Sequence, residues 1–292
     1  MDGIRIDAHV HLWEKQDGLI DGKRVFGIGG GKSDFLGEVR QMMPAYMDDN
    51  RNTIERLIAN MDYARVNGAV ITQEYMDGNQ DAYLLRAKAG YPDRIRICSL
   101  YREDEAYRLD GFDGIKICAG RLKEQDLTVH LPVFKAAEKA GLFVGLDLAD
   151  GDAQTASLAE VIQECPDLRM AIGHFGMVTT KGWEKQIELA RNPHVYIESG
   201  GLTWLFNREF YPFPSAVEAI RTAASICGME KLMWGSDYPR TMTEITYPMS
   251  TRFIEETDRL TEKEKEAFLG GNAMRFYGFS FEGPLPVIEN ML

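Results

Sequence analysis

The chain has 292 residues, 45% hydrophobic and 27% charged, with a net charge of −12. That length suits one large domain with ample core material. The acidic balance disfavours nucleic acid and anionic membrane as partners, while leaving room for a local cationic pocket that takes a small anion. No apolar run is long enough to span a bilayer. The first ten residues lack the basic-then-apolar pattern of a secretory signal, so a cytoplasmic location is expected. Cys98, Cys118, Cys165 and Cys227 are widely spaced with no CxxC pair, and read as free thiols.

In chain order, short β-branched apolar runs cover 4–10, 68–73, 95–100, 114–118, 142–148, 169–174, 195–199 and 231–236. Runs of this kind fit strands buried on both faces of a parallel sheet. The first run ends in HVHLW. It is followed by a long irregular stretch from Trp13 to Asn50, expected to be a functional loop. Within it, GIGGGK at 27–32 lacks phosphate-loop spacing and is read as a flexible loop.

Amphipathic helices separate the runs. Ile54, Leu57, Ile58 and Met61 share one helix face, and Asn52 with Glu55 has the form of a capping box. Leu158, Val161, Ile162 and Cys165 repeat that spacing before Pro166. Thr261 and Glu264 make a second possible capping box. Eight strands alternating with helices, and no GxGxxG after the first, predict an α/β fold: a distorted (β/α)8 TIM barrel of a single domain, with a long loop after strand 1. The tail, 279–292, reads as an extended C-terminal arm.

His9 and His11 lie two apart on strand 1 and so face the same way. His174 ends the sixth run and Asp237 follows the eighth. Each alone has a bland alternative: packed histidines, or a turn aspartate. In a barrel all four reach one mouth at the C-terminal face, which makes them the predicted catalytic residues. His9, His11 and Asp237, with His174 as a further option, could hold one metal ion. His130 and His194 lie off these strand ends. Lys116, Arg121 and Arg240 are candidate substrate-binding cations, with Arg24 weaker. Trp13, Tyr75, Trp204 and Tyr238 are candidate apolar walls, and Glu198 a candidate support for the site.

IDAHVHLW, GIKIC, IGHFG, GSDYP and FLGGNAMRFYGF, in that order, resemble the amidohydrolase superfamily, in the branch called amidohydrolase 2. The likeness runs from Ile6 to Phe279, and within the branch the chain is most similar to the sugar-lactone and 2-pyrone-4,6-dicarboxylate lactonases. Metal-dependent members of the superfamily carry a strand-5 histidine, and here Asp147, or Gly145, stands at the equivalent place. The resemblance therefore implies at most one weakly bound divalent ion, zinc or manganese, or metal-independent chemistry. It makes Lys116 a substrate cation rather than a carbamylated ligand. The function it implies is a hydrolase that opens an anionic or polyhydroxylated lactone with water activated by Asp237. The alternatives are a metal-dependent decarboxylase of an aromatic or muconate-type acid and a degenerate barrel that only binds a ligand. A homo-oligomer is compatible with the family.

Overall fold

The structure is a computed structural model that describes residues 3–289. Strand β1 (Ile6–His11) is buried throughout. Four short strands follow it: β2 (Asp17–Ile20), β3 (Lys23–Gly29), β4 (Lys32–Phe35) and β5 (Glu38–Gln41). They make a separate antiparallel sheet in the order β2-β3-β4-β5. The remaining strands, β6 (Gly68–Thr72), β7 (Ile95–Leu100), β8 (Gly114–Ile117), β9 (Phe143–Leu146), β10 (Met170–Ile172), β11 (Val195–Glu198) and β12 (Leu232–Met233), join β1 in one parallel eight-stranded sheet.

That sheet curls into a barrel. Ala8 N donates to Trp234 O at 2.9 Å and His11 N to Tyr238 O at 2.8 Å, so the segment after β12 closes onto β1. The fold is thus the expected α/β TIM barrel in a single domain. Most of its strands are shorter than the apolar runs, and residues just past β10 and β12 are left to build the site beside His9 and His11 of β1. Helices cover the outside. The helix Ile54–Ala64 buries Ile54, Leu57, Met61 and Ala64, following the apolar spacing of the sequence. Among the described residues no helix is long and apolar enough to cross a membrane.

Two local expectations change. The stretch after β1 is not an irregular loop. Its turns, Asp21-Gly22, Gly30-Gly31 and Leu36-Gly37, have both residues at positive φ, the backbone that tight two-residue hairpins require. GIGGGK accordingly supplies the end of β3, a turn and the start of β4. The Asn52–Glu55 pair does not cap its helix: Thr53 is the N-cap, without a side-chain cap bond. Asn52 Nδ2 instead donates to the His11 carbonyl at 2.6 Å, pinning the end of β1. The box at Thr261 and Glu264 does form, in both directions. The extended arm packs on its own barrel as far as Leu285, and residues 286–289 are exposed. Phe279 is buried, Asn67 Nδ2 donates to Gly283 O at 2.9 Å, and Arg65 Nε donates to Leu285 O at 2.8 Å. Residues 290–292 of the arm lie outside the described residues.

Candidate active site

A cavity of about 380 Å3 opens at the C-terminal face of the barrel, where barrel enzymes keep their reactive groups. His9 and His11 come from β1, His174 from just past β10 and Asp237 from beyond β12. His174 and Asp237 have φ of 52° and 59°, a left-handed backbone that non-glycine residues adopt at a cost. This turn aims both side chains back over the barrel. Close approach also needs Gly235, where a Cβ would stand 2.8 Å from the His9 Cβ.

Each imidazole has one nitrogen fixed. His9 Nδ1 donates to Glu198 Oε1 at 2.6 Å, His11 Nδ1 to Asp77 Oδ2 at 2.8 Å and His174 Nδ1 to the Gly200 carbonyl at 2.7 Å. Three Nε2 atoms therefore remain for the centre. His9 Nε2 and His11 Nε2 are 3.1 Å apart. Asp237 Oδ1 lies 3.3 Å from His11 Nε2 and 3.9 Å from His9 Nε2. The other Asp237 oxygen accepts the Trp204 indole N–H at 2.7 Å.

The charges follow from these contacts. Burial, and then the Lys116 charge, lower His9 well below the usual imidazole range. Burial also opposes a proton on His11, but Asp77 and Asp237 outweigh it and raise its pKa to about 10. In the same way Asp147 overcomes the burial of His174 and raises it to about 9. Burial disfavours the Asp237 charge, but the His11 hydrogen bond and the surrounding imidazoles hold the carboxyl below the ordinary range. The contact between His9 and His11 thus joins a neutral acceptor to a charged donor.

His9, His11 and Asp237 offer donor atoms whose separations of 3.1, 3.3 and 3.9 Å bracket the roughly 3.3 Å edge of a tetrahedron with ligand bonds near 2.0–2.1 Å. Carboxylates behind His9 and His11 are the supports that metal-ligating histidines need. The donor set fits one divalent ion. A second group, His9, Asp147 and His174, shares His9 with the first, and its Asp147 is already paired with Lys116.

The other predicted residues are divided between the cavity wall and places away from it. Trp13, Trp204, Arg121 and Arg240 line the cavity. The Trp13 indole donates to Asn50 O at 2.9 Å, tying the inserted sheet to the mouth. Lys116 lies outside the lining, fully buried within the barrel, with Nζ 2.5 Å from Asp147 Oδ1. Burial opposes its charge, but Asp147 keeps it positive. The ammonium expected to meet substrate is therefore held by Asp147, just past β9. Tyr75 lies outside the lining, beneath the Arg102 guanidinium at 5.3 Å. Tyr238 is wholly buried against Tyr247, and Arg24 pairs with Asp17 on the inserted sheet.

Asp77 and the Gly200 carbonyl carry no sequence signal, because each reaches its histidine only through the fold. Asp7, two residues before His9, accepts from Ser236 N at 2.8 Å and Tyr247 Oη at 2.8 Å, so it fixes the segment that delivers Asp237.

The sequence model of the amidohydrolase family matches residues 6–279. No protein of curated function matches the chain. Among solved structures it is similar to one described as a probable 2-pyrone-4,6-dicarboxylic acid hydrolase from Acinetobacter baumannii with citric acid bound, at 20% identity and a TM-score of 0.69 over 94% of this chain and 99% of that one. An amidohydrolase from Burkholderia multivorans with bound zinc has 17% identity and a TM-score of 0.68, over 95% and 100%. A 5-carboxyvanillate decarboxylase from Novosphingobium aromaticivorans, with manganese and a nitrobenzoic acid, has 16% identity and a TM-score of 0.54, over 79% and 82%. At these identities the likeness to the three structures is one of fold.

Proposed function

Since this chain belongs to the amidohydrolase family, we propose that it is a hydrolase that opens a lactone ring, with Asp237 as the proton acceptor. The carrying observation is the setting of Asp237. One carboxylate oxygen faces the imidazoles and the other is fixed by Trp204, in a cavity large enough for a ring-sized substrate.

Ester hydrolysis requires a proton taken from water, charge stabilised on the carbonyl oxygen and a proton returned to the leaving oxygen. Asp237 is ionised at neutral pH. A carboxylate held so low accepts a proton only as attack on the carbonyl makes the water acidic, so bond formation and proton transfer run together. The same oxygen then returns the proton to the ring oxygen as the ring opens. His11 and His174, positively charged around neutral pH, stabilise the developing oxyanion, while the unprotonated Nε2 of His9 is left as an ion ligand. Such help is worth about 3–4 kcal/mol per donor. A zinc or manganese ion would be held by Asp237, His9 and a His11 that has given up its Nε2 proton, and would supply Lewis acidity at the carbonyl.

The substrate is a small anionic or polyhydroxylated lactone. Arg240 in the wall favours the anionic class. The four cysteines are unpaired, in keeping with a cytoplasmic enzyme. The test is a panel of aldonic, aromatic-acid and pyrone lactones with acid release as readout. Ring opening of at least one supports the reading. Carbon dioxide from a muconate-type acid, with no acid from any lactone, would replace it with a decarboxylase.

A further inference from the structure

The cavity wall carries two guanidinium groups with different surroundings. Arg121 Nε donates to Glu74 Oε1 at 2.7 Å, and the other Glu74 oxygen is buried with no partner. The Glu74 charge is therefore held against Arg121 and offsets it. Arg240 makes no ion pair among the described residues. Its Cζ stands 3.9 Å from the Trp204 ring centroid, and the side chain is exposed in the cavity wall, where its donors can meet a ligand.

The wall's carboxylates are mostly spoken for. Asp77 is paired with His11, Asp147 with Lys116 and Asp237 with His11. Asp150 also lines the cavity, exposed at its rim, and adds a negative charge with no cation against it among the described residues. His174 is held 3.7 Å from Asp147, so Arg240 is the one cation of the wall with no carboxylate at ion-pair distance among the described residues.

We infer that the cavity selects a lactone bearing a single carboxylate, gripped by Arg240 from its seat on Trp204. This rests on the lactone reading above and narrows it. A second carboxylate would have to displace Glu74 from Arg121 or face Asp150 without a cation. Trp204 also couples recognition to chemistry, because its ring carries Arg240 while its N–H holds Asp237. The anchored acid group and the proton acceptor are referenced to one indole, which makes Trp204 a positioning residue.

The test compares 2-pyrone-6-carboxylate, 2-pyrone-4,6-dicarboxylate and unsubstituted 2-pyrone on the protein as purified. Calorimetry gives Kd, and acid release gives turnover. The monocarboxylate is expected to bind about tenfold more tightly than either other compound. Loss of one charge-assisted grip in Arg240→Gln is expected to weaken it about 10- to 100-fold and to erase the preference. Arg240→Lys, which keeps the charge without the fork, falls between.

Equal or tighter binding of the dicarboxylate would overturn the inference, as would an equal loss for the neutral pyrone in Arg240→Gln. The expected order of binding without ring opening would retain the selectivity and sink the lactonase reading. Ring opening with the dicarboxylate preferred would do the reverse, and absence of binding by all three would remove both.

Discussion

The indole N–H of Trp204 and Oδ2 of Asp237 are 2.7 Å apart, and this bond leaves the Asp237 carboxylate one free side, toward the imidazoles. Trp204→Phe keeps the ring and removes the donor. Its kcat is expected to fall about tenfold, the value of one hydrogen bond to a charged group. The melting temperature should stay near that of the wild type, since Trp204 is only half-buried. Steady-state rates beside a thermal melt check this. An unchanged kcat would remove Trp204 from the positioning of Asp237.

Metal binding is expected to depend on residues that never touch the ion. Asp77 orients His11 and Glu198 orients His9 through bonds of 2.8 and 2.6 Å. Asp77→Asn should weaken zinc binding about 10- to 100-fold, read by titration against a chromophoric chelator. Saturation should come at one ion per chain, since the second donor group shares His9 and has its Asp147 taken by Lys116.

The pair Lys116–Asp147 governs stability rather than substrate contact. Lys116→Met removes the nearer of the two cations held against Asp147, leaving only His174 at 3.7 Å, and should cost about 3 kcal/mol. Lys116→Met with Asp147→Leu should recover most of that. Burial raises the Asp147 carboxyl, but Lys116 outweighs it and holds the pKa well below the usual value. A depressed carboxylate contributes stability above its unfolded pKa, near 4, and loses it as the pH falls toward the folded value. Urea unfolding at pH 7 and pH 3 should therefore show the wild type losing its advantage over the double variant at the lower pH.

The barrel and its four central residues were legible in the sequence because both rest on local pattern. Eight apolar runs mark strands, and strand ends in a barrel converge whatever lies between them. The inserted sheet was missed because its strands are short and rich in glycine and charge, although Asp21-Gly22 between Ile20 and Lys23 carried a hairpin signal. Lys116 looks like a substrate cation in the sequence because a sequence shows a charge and hides its partner: Asp147 lies 31 residues away and meets it only because β8 and β9 pair. Asp77 was invisible for the same reason, 66 residues from His11. Asn52 illustrates the opposite case, where a short-range capping signal yields to a tertiary bond to the His11 carbonyl.

The most direct test follows acid release by pH-stat from a carboxylated pyrone lactone, with wild-type protein and Asp237→Asn side by side at pH 7. The wild type is expected to open the ring. Asp237→Asn, folded by circular dichroism, is expected to be slower by about 10²- to 10⁴-fold, the range of a general base. Wild-type rates in Asp237→Asn would contradict the assignment of Asp237 as proton acceptor.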